Sequence, residues 1–192
     1  KDSDERIIPV GQYRDALNIQ ISTSEGSDVG AAQNILGNAL VSPSLASFGS
    51  INRCVGMLSD EKNDVIYWLV YGDNKDGILE YHSNGTVTPV VIDTNKDVLK
   101  FDFNDTITGI NIIDDLIFWT DNRNEPRKIN IKNCKQGTPN MNTHTKLYLD
   151  GTPVPEYDTL GVPTSSILDL KEEHITVIKR KPDNAPRVIF SE

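Results

Sequence analysis

The stretch VIYWLVY, residues 65–71, is a continuous run of apolar residues rich in β-branched and aromatic side chains. Such a run predicts a strand that is buried on both faces, as at the centre of a sheet. The pattern continues with a polar turn at 73–77, a strand at 78–82 and a strand at 86–92. Three strands separated by short turns predict a small antiparallel sheet.

Two sequence features predict further details of this part of the sheet. The pair Asn84-Gly85 lies between the second and third strands and is the favoured pair for a tight type I′ hairpin turn. Pro89 lies inside the third strand. Because proline has no N–H to donate, it predicts that this strand lies at a sheet edge or carries a bulge.

The same order of elements recurs further along the chain. The second copy comprises a strand at 110–113, the turn Asp114-Asp115, an apolar strand at 116–119, a polar loop at 121–125 and a strand at 126–131. A weaker third copy comprises a strand at 167–170, a turn at 171–173, a strand at 174–178 and a proline-led strand at 186–190. Trp119 follows Trp68 by 51 residues, and Pro186 follows Pro126 by 60.

Repeats of about 40–50 residues, each a small antiparallel sheet, are typical of propeller blades. A single small sheet cannot bury both faces, so blades stack and each covers its neighbour. We therefore expect an all-β fold of antiparallel, propeller-like blades with few or no helices; a β-sandwich is the alternative. Residues 1–54 are expected to form an N-terminal strand and an irregular segment that packs on the blades. Residues 55–192 are expected to form about three blades, an incomplete propeller of a longer chain.

The composition agrees with strands and turns. Isoleucine, valine and threonine together number 48, whereas alanine occurs only 6 times. Residues branched at Cβ suit pleated strands. Aspartate outnumbers glutamate by 19 to 9, and aspartate favours turns because its short side chain bonds to nearby backbone.

The net charge of −9 is unevenly distributed, since residues 126–149 carry five basic side chains and no acidic one. This basic segment is either a solvated face or a contact for an acidic neighbour. The overall acidity argues against a dedicated nucleic-acid binder. It would suit a surface past which DNA slides. No apolar run reaches the roughly 20 residues of a membrane helix, and the first residues lack a signal-peptide pattern, so neither is expected in this stretch.

No catalytic or metal-binding arrangement stands out. Cys54 and Cys134 are isolated, and the three histidines are far apart, so neither a zinc site nor a disulfide framework is expected. The loops 73–77 and 121–125 faintly resemble calcium loops, but Lys75 and Arg123 occupy their third positions, where a ligand oxygen is needed. We expect no enzyme activity and no cofactor.

A few residues are candidates for contacts. Trp68 and Trp119 are either core residues or aromatics that stack on a ligand. Glu125, Pro126 and Arg127 either tie a loop to a neighbouring blade or contact a partner; the proline fixes the entry to a strand. Asp121 precedes this group, and Pro186 begins the corresponding strand of the third copy.

Several segments resemble the opening of tail proteins of short-tailed bacteriophages, called packaged-DNA stabilisation or tail hub proteins, which correspond to the muzzle protein of crAss-like phages. These segments are DER at 4–6, YRDALN at 13–18, STSEGSDVG at 22–30 and QNILGN at 33–38. FWTDN at 118–122 with EPRKI at 125–129 resembles their blade motif. EHITVI at 173–178, with Pro182 and Ala185-Pro186, resembles a later motif.

The resemblance implies a propeller-containing subunit of a homo-oligomeric ring at the end of a virion tail. Such a ring helps to close the DNA channel and retains the genome until ejection. Its implied partners are other tail, adaptor or portal proteins and passing DNA that is not bound specifically; the chain would be made in the bacterial cytoplasm. The alternative is a sugar-binding or glycoside-cleaving propeller that recognises host glycans, which needs aromatics and carboxylates converging on one face.

Overall fold

The computed structural model describes residues 19–21, 32–35 and 45–178 of the chain. The chain divides into two compact units, Lys1–Ser42 and Pro43–Glu192. In the first unit, β1 (Ile19–Ile21) pairs antiparallel with β2 (Ala32–Asn34). The motif segments 4–6, 13–18 and 22–30, residues 36–38 of the fourth segment, the expected strand 186–190, Pro182 and Ala185-Pro186 lie outside the described residues.

The second unit contains a four-stranded antiparallel sheet, which we call the first sheet. Its strands are β3 (Asn52–Asp60), β4 (Val65–Gly72), β5 (Asp76–His82) and β6 (Val87–Asp93), in that spatial order. The stretch VIYWLVY lies in β4, between β3 and β5, so the predicted central strand is confirmed. The two strands predicted after it are confirmed as β5 and β6.

The hairpin between β5 and β6 differs from the prediction. Gly85 has φ +87° but Asn84 does not have a positive φ, so the predicted type I′ turn, which needs both, is wrong. The His82 carbonyl accepts from Gly85 N at 2.9 Å, and His82 N donates to the Thr86 carbonyl at 2.9 Å. This is the longer loop in which a glycine in the left-handed region follows a type I turn. The Asn84 side chain supports it by accepting from Thr86 N at 2.9 Å.

The prediction from Pro89 is confirmed in both of its alternatives. β6 is the last strand of the first sheet, and its register against β5 shifts between Ile78 and Leu79, so Val90 bulges out. Pro89 therefore lies opposite Leu79 in an edge strand beside a bulge.

A three-stranded antiparallel sheet, the second sheet, follows. It consists of β7 (Gly109–Ile113), β8 (Leu116–Thr120) and β9 (Arg127–Asn130). The turn Asp114-Asp115 joins β7 to β8, with Asp114 at φ 53°. The three strands and this turn are confirmed, but β9 ends at Asn130 because a helix begins at the next residue.

That helix, α1 (Ile131–Gly137), was not expected. Asn130 caps it by accepting from Asn133 N at 2.9 Å, which satisfies one of the free N–H groups of the first turn. Ile131 and Cys134 face the core. Two hairpins follow it, formed by β10 (Tyr148–Leu149) with β11 (Thr152–Pro153) and by β12 (Pro155–Tyr157) with β13 (Pro163–Ile167).

The predicted third copy is wrong at its described strands. Where a strand was expected at 174–178, α2 (Glu172–Ile175) forms instead, with two glutamates in its first turn, where the helix dipole favours acids. The strand expected at 167–170 is reduced to the end of β13 and an isolated bridge from Asp169 to Lys146. Residues 45–178 therefore contain two blade-like sheets. A mostly β fold of antiparallel sheets is confirmed, and none of the described sheets closes into a barrel.

The two sheets share one hydrophobic core. Because side chains alternate along a strand, each sheet has two faces. We call the faces turned to the shared core inner faces; they include Tyr67 and Leu69 of β4 and Ile117 and Trp119 of β8. The opposite faces are the outer faces. At one end of the first sheet's outer face, Phe48 of a 3₁₀ helix packs in a second cluster, with Val70, Leu79 and Ile92.

Candidate interaction site

Arg127 is the most constrained of the residues that the sequence singled out. It lies opposite Trp119 at the start of β9, and only 1% of its surface is exposed. Its Nη1 donates to the Leu99 carbonyl, and its Nη2 donates to Glu172 Oε1 at 3.1 Å. The side chain therefore joins the second sheet to the segment after β6 and to α2.

Asp121 organises the loop between β8 and β9. Its Oδ1 accepts from Arg123 N at 3.0 Å and Asn124 N at 2.7 Å, and its Oδ2 accepts from Asn124 Nδ2 at 2.7 Å. Burial alone would raise the pKa of Asp121, but these hydrogen bonds hold it below its ordinary value. The Asp121 carboxylate is therefore engaged by hydrogen bonds within its own loop.

Glu125 and Pro126 lie at the entry to β9 and are exposed. The Pro126 carbonyl accepts from Val177 N at 2.9 Å, and Thr176 forms a bridge to Arg127, so the end of α2 pairs with the start of this strand. The backbone at Pro126 and Arg127 is therefore paired with the residues that directly follow α2.

The two tryptophans lie in different environments. Trp119 is 1% exposed and contacts Phe101 edge-on, with ring centroids 6.5 Å apart. Trp68 lies on the outer face of the first sheet, half-buried, and stacks on Tyr81 with centroids 5.5 Å apart and rings 5° from parallel. The structure thus brings Trp119, Asp121, Pro126 and Arg127 together and places Trp68 apart from them.

A cavity of about 260 Å³ opens beside this group. Its lining includes outer-face residues of β7 and β8, and the full set is Thr108, Gly109, Ile110, Asn111, Phe118, Trp119, Thr120, Pro126 and Arg127. Gly109 packs closely on its cross-strand partner, since an added Cβ would lie 2.6 Å from Thr120 Oγ1. The lining contains no carboxylate, histidine or cysteine; its polar side chains are those of Thr108, Asn111, Thr120 and Arg127.

A buried acidic pair, which the sequence did not single out, anchors the loop after β6. Asp76 and Asp93 face each other across β5 and β6, and neither is exposed. Asp93 Oδ2 accepts from Val98 N and Leu99 N at 2.8 and 2.7 Å. This loop in turn supplies the carbonyl that Arg127 binds.

The environment of Asp76 disfavours its charge. Burial raises the pKa of Asp76 to about 6, although Lys96 and the N–H groups of Phe101 and Gly72 lower it. The Lys96 ammonium lies 3.3 Å from Asp76 Oδ1 and 3.8 Å from the centroid of the Tyr71 ring. The sequence placed Asp76 inside the polar turn 73–77 and gave no sign of its burial.

Across residues 19–21, 32–35 and 45–178, no group of three or more His, Cys, Asp or Glu side chains is arranged to hold a metal ion. Of the helices in these ranges, none is both long and apolar enough to cross a membrane. Comparison of the chain with models of known families, with curated proteins and with solved structures found no match.

Proposed function

We propose that this chain is a structural subunit of a bacteriophage tail, part of the tail hub or muzzle that closes the DNA channel and retains the genome until ejection. The motif FWTDN…EPRKI, which resembles the blade motif of tail hub proteins, supports the proposal. In the structure this motif forms β8, the loop held by Asp121 and the buried Arg127 joint. A buried arginine that ties the second sheet to the segment after β6 and to α2 fits a structural role better than a catalytic one.

The same proposal includes a partial propeller. The first and second sheets are antiparallel, follow each other along the chain and share one core through their inner faces. Stacked sheets of this kind are the unit from which propellers are built. In the tail, such sheets would form part of the wall of a homo-oligomeric ring beside adaptor or portal proteins.

The charge supports passage of DNA rather than binding. At pH 7 the net charge is −9, so the surface repels phosphates on balance and offers few contacts that would hold a duplex in place. The chain would act without a cofactor and without catalysis.

Immunogold electron microscopy of purified virions of the phage that encodes this chain tests the proposal. We expect gold at the end of the tail with an antibody raised against the purified chain, and none with the pre-immune serum. Label on the capsid shell, or none on disrupted virions in which the tail is accessible, would refute the tail assignment.

The glycan-binding alternative needs aromatic rings and carboxylates converging on one face. Trp119 is in the core, Trp68 is on the outer face of the other sheet, and Asp121 is engaged in its own loop. The described geometry therefore favours the structural role. Specific binding of one sugar class on a glycan array would favour the alternative.

A further inference from the structure

The hairpin between β5 and β6 carries the only Asn-Gly pair of the sequence, Asn84-Gly85. Its loop, residues 83–86, is exposed, and a Cβ built on Gly85 meets no atom within 4 Å. The need for a turn explains the glycine. It does not use the reactivity of the asparagine amide, whose carbon can be attacked by the backbone nitrogen that follows it.

The carboxamide of Asn84 is held in one orientation. Its Oδ1 accepts from Thr86 N at 2.9 Å and from Thr86 Oγ1 at 2.7 Å. A backbone N–H can only donate, so the atom that it contacts is the amide oxygen. A side-chain bond to the backbone two residues further on is an Asx turn. The carboxamide is therefore directed along the chain, toward Gly85 and Thr86.

We propose that Asn84 is a site of spontaneous deamidation, in which Gly85 N is the nucleophile and Thr86 supplies the donors that stabilise the oxyanion. Gly85 N gives up its proton and bonds to Asn84 Cγ, which closes a succinimide ring. The Cγ–Nδ2 bond breaks, and Nδ2 leaves with that proton as ammonia. Water then opens the ring at either carbonyl and leaves aspartate or isoaspartate. The whole change consumes one water and releases one ammonia.

The two Thr86 donors act on the atom where charge develops. As Gly85 N attacks, Cγ becomes tetrahedral and Oδ1 takes up negative charge. Donors at about 2.7–3.1 Å are the arrangement that stabilises such an oxyanion. Because this loop is exposed to water, each donor contributes far less than it would in a closed active site. Thr86 is thus a positioning residue for a reaction between its two neighbours.

One contact opposes the reaction. Gly85 N donates to the His82 carbonyl at 2.9 Å, and this bond must open before the nitrogen can attack. An exposed hydrogen bond of this kind slows the attack by about tenfold at most. Gly85 has no side chain to hinder the approach, and its backbone adopts conformations that other residues rarely reach. The turn therefore delays the reaction without preventing it.

The two products affect the hairpin differently. An aspartate at this position can still accept from Thr86 N. Isoaspartate inserts a methylene into the backbone between His82 and Thr86, and the hydrogen bond from His82 N to the Thr86 carbonyl closes the loop at 2.9 Å. Since β6 is an edge strand, isoaspartate would loosen one border of the first sheet with age. The reaction needs only water, so the inference does not depend on the proposed function.

Peptide mapping after incubation in heavy-oxygen water tests the proposal. The folded chain is kept in this water at neutral pH and is then denatured and digested with trypsin in ordinary water, so heavy oxygen marks only the rings that opened during incubation. The tryptic peptide 76–96 contains both Asn84 and Asn95, and Asn95 is the internal control. We expect at least roughly tenfold more heavy oxygen at Asn84, with isoaspartate among the products, because Lys96 hinders attack by its nitrogen and glycine does not.

Variants at Thr86 separate the effect of the fold from that of the sequence. Thr86→Val removes the Oγ1 donor but keeps the shape and the N–H, so it should slow heavy-oxygen uptake in the folded chain about threefold, whereas Thr86→Ser should match the natural chain. In concentrated guanidinium chloride, where the Asx turn is lost, the three chains should react at equal rates. Circular dichroism checks that each variant is folded, and Thr86→Ala replaces Thr86→Val if that variant unfolds.

Heavy-oxygen uptake at Asn84 no greater than at Asn95 in the folded natural chain would overturn the proposed site. Equal uptake by the folded natural chain and by Thr86→Val would overturn the role of the Thr86 hydroxyl. The same difference between these two chains persisting in guanidinium chloride would also overturn that role, because it would not depend on the fold.

Discussion

Arg127 shows how far the sequence predicts a residue's role. A proline-led strand with an adjacent arginine indicated a tie to a neighbouring element or a contact with a partner, and these alternatives stayed open. The structure buries Arg127 and commits its guanidinium to Leu99 and Glu172. Those acceptors are 28 and 45 residues away in sequence, so no local pattern could have named them.

Removing this side chain should destabilise the fold strongly. Arg127→Ala leaves the Leu99 carbonyl without its donor, and we expect the free energy of unfolding in urea to fall by about 3 kcal/mol. Arg127→Lys should lose less, because an ammonium can still reach one acceptor. Arg123→Ala, at an exposed arginine paired with Asp102 and Asp105, is the control and should cost under about 1 kcal/mol. Equal losses for Arg127→Ala and Arg123→Ala would contradict the role assigned to Arg127.

Asp76 illustrates a residue whose role depends on burial that the sequence does not reveal. Its position inside the polar turn 73–77 indicated only turn chemistry. In the structure it is fully buried, and its carboxylate accepts from Phe101 N at 3.0 Å, which holds the loop after β6 against the first sheet.

The raised pKa of Asp76 predicts a pH dependence of stability. Burial raises the pKa from 3.8 to about 6 in the folded state, so the folded chain binds this proton more tightly than the unfolded chain. The stability that this group contributes is fully present below pH 4 and is lost as the pH rises through about 6. Relative to Asp76→Asn, the natural protein should therefore lose up to roughly 3 kcal/mol of unfolding free energy over this interval. Urea unfolding of both proteins between pH 4 and 7 measures the difference, and a difference that does not change with pH would contradict the prediction.

At the scale of elements, strands were predictable and short helices were not. The runs at 65–71 and 116–119 combine β-branched and aromatic residues over the length of a strand. Their local preference for strand therefore agrees with the strands β4 and β8 that they form. α1 and α2 have 7 and 4 residues, too few to show a helical period. HITVI at 174–178 has strong strand propensity, yet tertiary contacts around Arg127 and the acidic first turn of α2 determine its conformation.

The cap of α1 should be measurable. Asn130→Ala removes the acceptor for Asn133 N and should cost about 1 kcal/mol of unfolding free energy, whereas Asn130→Ser should retain most of it. Faster amide exchange at Asn133 in the alanine variant would locate the effect at the helix start. Equal losses for the alanine and serine variants would show that the cap is not the cause.

At the scale of the whole molecule, the sequence predicted repeated antiparallel sheets, and residues 45–178 contain two of them. The third repeat was weak in sequence because it lacks a counterpart of the VIYW and LIFW motifs, and within the described residues 167–178 the structure forms α2 and an isolated bridge in place of its first two strands. The candidate residues around β8 and β9 were predicted as a group. The cavity beside them was not, because it depends on how the ends of β7, β8 and β9 pack together.

The reactivity of the two free cysteines shows whether the second unit is folded. Cys134 lies in the core, and burial raises its pKa to about 12, whereas Cys54 is exposed on the first sheet. A thiolate is the reactive form. We therefore expect an aromatic disulfide reagent to label one thiol per folded chain and two in concentrated urea, with the slow phase following global unfolding. Cys54→Ser should abolish the fast phase, and rapid labelling of both thiols in the folded protein would contradict this packing.

The register shifts in the first sheet have a consequence for how the protein behaves when crowded. Both outermost strands are interrupted, β3 between Cys54 and Gly56 and β6 at Val90 beside Pro89. The free sides are also occupied, since the Val55 carbonyl accepts from Ile107 N and Thr138 Oγ1 donates to the Val90 carbonyl. A foreign strand would therefore meet an interrupted row of backbone groups at these two positions, which disfavours edge-to-edge pairing there.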